Sequence, residues 1–276
     1  MIIKRKILIS VMVGLLSVPI YLLRAEEMNE GDKWANEVLS DQKLTKEEIK
    51  GTIQKYDLSE LFTRTESSFI FGFTGSNFQR IQIHLAKARK SEKHPNQYRV
   101  EGKSKVRNNI CDFKGTITIT SARKQAKEKI IDGILDRDEK VASSIAVRGV
   151  AVSECEFLEN PNQKYAGVFK GKLTTYFYID QRGIIHYDDL NNYSDAYFNN
   201  AFVGVWTSYN GKLIKKVHWG DWRIPYSGDL DVGAGEFWPA KKYLNNGWEF
   251  FKDEDNVIKK GRDGVLYRQR ESDWWK

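Results

Sequence analysis

The spacing of apolar positions changes twice along this chain. An apolar run from Ile7 to Leu23 follows Lys4, Arg5 and Lys6, a stretch from Gly31 to Phe62 repeats at intervals near four, and from Ser68 onward the interval is two. The first pattern is that of an export signal, with cations, an apolar core and then Arg24-Ala25-Glu26-Glu27. Its seventeen residues would rise only about 26 Å as a helix, against roughly 30 Å of hydrocarbon. Leu23 stands where a cleavable signal prefers a small residue, two before Ala25. Two readings follow: a signal peptide over residues 1–25 that is removed, or a signal anchor, in which case membrane contact runs through residues 7–23 only. No cysteine lies in or just after the run, which excludes a lipid-modified N-terminal cysteine.

Residues 26–62 read as a helical arm. Thr45 and Glu48 have the form of a capping box, and Ile49, Ile53 and Tyr56 follow at helical spacing. Residues 63–276 then read as a β-rich domain. Tyr98, Val100, Gly102, Ser104 and Val106 alternate with Arg99, Glu101, Lys103, Lys105 and Arg107, and Cys111, Phe113, Gly115, Ile117 and Ile119 continue the inner face. Asn108-Asn109 is the expected turn between them, because asparagine tolerates positive φ. Ser144 to Phe157 and Phe169 to Ile179 predict two more strands, with a turn at Gln181-Arg182-Gly183. Arg123 to Lys140 predicts a helical insertion or a loop, and Asn191 to Asn200 a short helix or ordered loop.

An aromatic residue stands two positions before a glycine in Phe113-Lys-Gly115, Phe169-Lys-Gly171 and Phe202-Val-Gly204. Glycine permits a strand to bend over a core and leaves room for a neighbouring ring. The expected fold class is therefore mainly β, an antiparallel β-barrel or strongly curved sandwich, with an N-terminal signal or anchor helix and a short helical arm.

Charge narrows the partners. The net charge is +7, but Lys4, Arg5, Lys6 and Arg24 supply four of those charges, so +3 remains for the rest. That falls short of the basicity of a nucleic-acid binder, and none is expected as a partner. Ser76 to Lys114 holds ten Lys/Arg against three Asp/Glu, while Asp221 to Val257 holds eight Asp/Glu against four Lys/Arg. Steering of a charged partner is one reading of that unevenness, and the solvated outer faces of strands are the other. Cys111 and Cys155 are the only cysteines. An exported chain allows a disulfide between them, and two buried thiols fit the sequence equally well.

Seven of the eight tryptophans fall between Trp206 and Trp275. Around them, His218 to Pro225 and Ser227 to Pro239 combine rings, glycines and carboxylates in loop-like sequence, where function commonly sits. Trp219 and Trp222 are candidate stacking platforms for a sugar, and Asp221, Asp229, Asp231 and Glu236 candidate acceptors for its hydroxyls. The competing reading makes the rings a satellite core and the Asp and Gly residues turn formers. A glycoside hydrolase would need two of those carboxylates opposed across a cleft. Asp229-Leu-Asp231 opens like a calcium loop but lacks the closing glutamate, His84, His94, His186 and His218 have no metal spacing, and neither a Gly-x-Ser-x-Gly elbow nor a phosphate loop is present. No cofactor is expected.

The strings Asn108 to Thr118, Tyr197 to Tyr209, Trp219 to Pro225 and Asp231 to Phe237 resemble a group of uncharacterised exported bacterial envelope proteins, over roughly Tyr56 to Phe251. That resemblance implies a periplasmic or cell-envelope location and transfers no catalytic residue. Gly204-Val205-Trp206 also gives a weak likeness to lipocalin and avidin-type barrels, which implies only curved β-sheet. The expectation is an exported protein that binds a carbohydrate or peptidoglycan-type ligand. The alternatives are a glycoside-type hydrolase and a structural protein whose basic hairpin meets an acidic partner.

Overall fold

The computed structural model describes residues 30–64, 70–126, 143–190, 197–253, 258–260, 266–268 and 273–276. The expected export segment, most of the expected insertion after Arg123, and residues 191–196 lie outside them. Among the described residues no helix is long and apolar enough to cross a membrane.

The chain is mainly β. Residues 30–39 form helix α1, and strand β1 (Leu44–Glu48) and helices α2 (Lys50–Ile53) and α3 (Ser59–Thr63) complete the lead-in. Strands β2 (Ile70–Thr74), β3 (Gln79–Arg80), β4 (Gln82–Lys90), β5 (Gln97–Val106), β6 (Asn109–Gln125), β7 (Ile145–Glu159), β8 (Gly167–Asp180), β9 (Ile185–Tyr187), β10 (Asn199–Ser208) and β11 (Ile214–Asp221) follow. They form one curled antiparallel sheet, a half-barrel, in the order β3-β2-β11-β10-β8-β7-β6-β5-β4, with β1 added to β6 and β9 to β8. The strands at the two ends of that path, β3 and β4, are joined by the single residue Ile81. Its backbone N–H bonds Gly72 O at 3.0 Å, so the chain itself draws the two edges together. A two-stranded sheet, β12 (Ile258–Lys260) and β13 (Leu266–Arg268), stands apart.

The alternation read from the sequence places the core. Tyr98, Val100, Ser104, Cys111, Phe113, Ile117 and Ile119 are all buried, and across the β5–β6 pair Gly102 faces Phe113. The three aromatic-glycine strings occupy β6, β8 and β10. Gly204 pairs with Gly171, and a Cβ on either would stand 2.7 Å from the ring of Phe202. That ring in turn stacks on Trp219, with centroids 3.8 Å apart and planes 9° from parallel. The two glycines thus let adjacent strands bend inward over one ring pair.

The outward face of the β5–β6 hairpin is laddered with opposite charges: Lys103 meets Asp112 at 3.6 Å and Lys114 meets Glu101 at 3.9 Å. Much of that basic stretch is therefore a solvated, partly neutralised outer face.

Three local expectations change. The β5–β6 turn is Arg107-Asn108, one residue earlier than expected, with the positive φ of 53° on Arg107. Register decides this: Val106 pairs with Asn109, which keeps the inner-face residues of both strands facing the core. Thr45 does not start a helix. It lies in β1, where pairing with β6 competes successfully with a helix too short to stand alone. Glu48 still caps, accepting bonds from Lys50 N–H at 3.0 Å and Ala122 N–H at 2.8 Å. Asn199 and Asn200, expected in a helix or loop, open β10 instead, because Asn199 bonds the Tyr176 N–H of β8 at 2.7 Å.

Helix α1 lies against the sheet through polar ties: Glu30 to the buried His218 at 3.2 Å, and Lys172 to Asp32 at 3.1 Å. Cys111 and Cys155 are both free and buried. Cys155 sits opposite Ile117, and Cys111 is six positions farther along β6, a distance of about 20 Å at strand rise. A disulfide, which requires Cα atoms within about 7 Å, does not form between them.

Candidate functional site

The tryptophan-rich segment does not gather the carboxylates into a cleft. Trp219, on β11, is 3% exposed and lies in the main core among Phe157, Phe169 and Phe202. Asp221, at the end of the same strand, is buried and accepts a hydrogen bond from Tyr187 Oη at 2.6 Å. Trp222 is half-buried, has φ 69° and meets the edge of Tyr197. Asp231 holds its own loop: it takes Arg223 at 2.6 Å and the N–H groups of Gly233 and Trp238 at 3.0 and 3.2 Å. Asp229 is bound at the surface by Lys242 and Tyr243, and Glu236 is exposed. The clasped loop covers a second aromatic cluster, including Phe71, Phe73, Phe237, Trp248 and Phe251. Phe71 and Phe73 point to the face of β2 opposite Gly72, which meets Trp219 and Ile81, so this cluster coats the outside of the sheet.

A different place collects polar groups around rings. The turns β2–β3, β5–β6, β7–β8 and β10–β11 all contribute walls to a cavity of about 520 Å³, through Asn77, Arg107, Asn108, Tyr165 and Leu213. Phe169, Trp206, Ile81, Val106 and Val217 supply its apolar lining. The polar lining includes Ser104, Gln79 and Glu159. Antiparallel pairing brings alternate hairpins to one end of the curled sheet, and the inward parity of β5, β7 and β10 then aims Ser104, Glu159 and Trp206 into it.

Glu159 is the centre of this arrangement and is 4% exposed. Ser104 Oγ donates to one carboxylate oxygen, while Gly167 N–H and Trp206 Nε1–H donate to the other, each at 2.8 Å. Four strands, β5, β7, β8 and β10, meet at this one side chain. Burial pushes its acid strength down, raising the pKa above the ordinary carboxylate value, and the three donors offset part of that shift. Nearby, Arg107 Nε donates to Gln79 Oε1 at 2.9 Å, and Gln79 donates to Asn246 O at 2.6 Å. The Cys111 thiol is pushed up to about 11, by burial first and by the charge of Glu159 second.

None of the six residues expected from the sequence lines this cavity. Glu159 nevertheless had a signal: Cys155, Phe157 and Glu159 share one strand parity, so the inner face of β7 ends on a carboxylate. Ser104 stands between Gly102 and Val106 on the inner face of β5 in the same way. Among the described residues no group of three His, Cys, Asp or Glu is placed to hold a metal ion. No protein-family model, curated protein or solved structure matches this chain.

Proposed function

We propose that this chain is an exported cell-envelope protein that binds a saccharide, of the kind found in envelope glycans or peptidoglycan, in the cavity at the hairpin end of the sheet. The observation that carries the reading is the cavity's composition. Trp206 and Tyr165 offer flat apolar surface beside Gln79, Arg107, Asn108 and Asn109. A sugar requires that combination, because its C–H faces pack on rings while its hydroxyls need planar donors and acceptors. The buried Glu159, with its raised pKa, is the type of group that accompanies binding sites more often than bare scaffold. The export-type apolar run supports the envelope location, and retention of that run would anchor the chain by residues 7–23.

The test is isothermal titration of the protein with a panel of neutral and acidic oligosaccharides and muropeptides, repeated with Trp206→Ala and Trp222→Ala. Binding that falls at least tenfold on Trp206→Ala and is unchanged on Trp222→Ala supports the cavity. No binding by any member of the panel, or equal binding by both variants and the parent, overturns it.

A hydrolase reading would need two carboxylates across the cavity, roughly 5 to 9.5 Å apart. The lining supplies one, Glu159, and its oxygens are already occupied by three donors. Binding without chemistry is therefore the reading favoured here.

A further inference from the structure

Among the described residues seven large apolar side chains are exposed, and five of them, Ile110, Leu158, Tyr165, Tyr209 and Leu213, stand at the hairpin end of the sheet. Such segregation marks an interaction surface. Tyr165 is 80% exposed on the β7–β8 turn, and Leu213 is 54% exposed on the β10–β11 turn. Tyr165 also holds φ 57°, a conformation that costs any residue with a Cβ. Packing within the chain does not offset that cost, because most of the ring is in water. Cations stand between these apolar tips: Lys164 precedes Tyr165, Lys212 precedes Leu213, and Lys215 follows two residues later, all three exposed. None of the three enters an ion pair among the described residues, whereas Lys103 and Lys114, farther down the sheet, both do. We infer that the hairpin end docks on an anionic lipid bilayer, with Tyr165, Tyr209 and Leu213 entering its interface and the three lysines meeting lipid phosphates.

The turns are tied into one rim. Tyr209 Oη donates to Glu159 O, Asn160 N–H to Asp112 O at 2.8 Å, and Cys111 Sγ to Lys164 O at 3.5 Å. A rim already ordered loses little conformational freedom on docking. A bilayer interface suits its mixture of side chains: tyrosine rests at headgroup level, leucine reaches the acyl boundary, and lysine lays its stem on apolar surface while its ammonium stays at the phosphates. The direction of helix α1 is an independent reason. Asp32 near its start meets Lys172 at 3.1 Å, Trp34 packs on Phe198 just before β10, and after the helix Leu44 pairs with Gln125, the last residue of β6. The helix therefore runs away from the hairpin end, and its N-terminus points toward it. Lys172 is five residues from Gly167, the hairpin end of β8, about 17 Å at strand rise. Residues 24–29, which separate α1 from the apolar run ending at Leu23, can span roughly 20 Å. A retained run would thus tether to the membrane the same end that carries the exposed rim. Docking sets the cavity mouth at headgroup level, and it does not require the cavity to take a saccharide.

The experiment attaches a polarity-sensitive fluorophore to the full chain at Asn162→Cys, on the β7–β8 turn, or at Ile184→Cys, exposed at the opposite end; both native thiols are buried and stay unlabelled. The probes are vesicles of phosphatidylcholine alone and of an equimolar mixture with phosphatidylglycerol. With the mixture, the Asn162 label should shift to shorter wavelength and be quenched by a lipid-borne quencher, while the Ile184 label stays unmoved. Tyr165→Ser combined with Leu213→Ser should abolish the shift. Lys164→Gln, Lys212→Gln and Lys215→Gln together should raise the anionic lipid required by about tenfold or more. Melting temperatures should not change, since all five side chains are exposed. An equal shift with phosphatidylcholine alone overturns the anionic surface, and no shift, or equal shifts of both labels, overturns the docking. A shift that grows with protein concentration in the absence of lipid marks a contact between copies of the chain and overturns it as well. Saccharide titration of the cavity is read separately, so docking and cavity binding can fail independently.

Discussion

The indole N–H of Trp206 donates to the carboxylate of Glu159 at 2.8 Å, tying β10 to β7 inside the cavity wall. Because Gly167 N–H reaches the same oxygen and Ser104 Oγ the other, the site distinguishes an amide from a methyl group. In Glu159→Gln the amide oxygen can accept from Trp206 and Gly167 while its NH₂ donates to Ser104, whose hydroxyl can also accept. In Glu159→Ala the donors are left buried and unmet, at a cost of about 3 kcal/mol. Urea denaturation should therefore show Glu159→Ala strongly destabilised and Glu159→Gln close to the parent. Equal losses in both would mean that the carboxylate's charge, rather than its acceptors, holds the strands.

The same residue sets a pH dependence. Burial raises the Glu159 pKa above the ordinary carboxylate value, so the folded state holds the proton more tightly than the unfolded chain does. Its contribution is fully present below the unfolded value and is lost as pH rises through the folded value. Other carboxylates act in the opposite sense: Asp180, bonded by the Ile184 N–H and by Arg182, is held well below its usual range. The stability difference between the parent and Glu159→Gln isolates the effect, and it should grow in favour of the Gln variant as pH rises above about 4.5. A difference that stays flat from pH 4 to 8 would contradict the assignment.

The bend of the sheet depends on Gly204 and Gly171. A Cβ at Gly204 would lie 2.3 Å from Lys170 O and 2.7 Å from the Phe202 ring, and the first of these contacts is backbone. The cost of Gly204→Ala should be at least 2 to 3 kcal/mol, about the upper range for overpacking. Gly211→Ala provides the comparison, since no atom lies within 4 Å of its added Cβ; there the cost is that of its φ of 69° alone, about 1 kcal/mol. Thermal melts that place the two variants together would show that the β8 backbone at Lys170 and the Phe202 ring can both move aside.

Periodicity made most of the sheet legible, because period-two alternation depends only on which face meets the core. Phe113, Ile117, Phe157 and Phe177 are buried as their spacing requires. The site was less legible. Trp219 and Trp222 are three residues apart in sequence, yet the first ends in the core and the second on a turn. Ring-rich sequence alone cannot separate a binding platform from a satellite core, since both need the same side chains. Asp231 looked like an acceptor for a ligand because its real partners, Arg223 and the Gly233 and Trp238 N–H groups, are local. Glu159, Ser104 and Trp206 belong to different strands and meet only through pairing, a relation that short-range spacing does not carry.

The two thiols offer a check that does not depend on ligand. Burial raises the Cys155 thiol well above its ordinary value and Cys111 to about 11, so neither supplies appreciable thiolate near neutral pH. Ellman's reagent should find less than a tenth of the two thiols in the native protein within minutes and both after denaturation. An intact mass two daltons light, restored by reductant, would show a bridge that this fold cannot hold.

Arg107 separates stability from binding. Its φ of 53° costs a side-chain-bearing residue about 1 kcal/mol, whereas glycine adopts it freely. Arg107→Gly removes that strain and also the bond from Nε to Gln79, which is worth about 1 kcal/mol. The two terms nearly cancel, so the unfolding free energy from urea denaturation should stay within about 0.5 kcal/mol of the parent at unchanged slope. Affinity for the saccharide proposed to bind the cavity should nevertheless fall at least tenfold, because Arg107 lines that cavity. A variant that loses more than about 2 kcal/mol of stability would instead mark Arg107 as a structural tie, since strain relief and one half-exposed bond cannot produce that loss. A stable variant that still binds the saccharide like the parent would leave the strained turn without a functional reason.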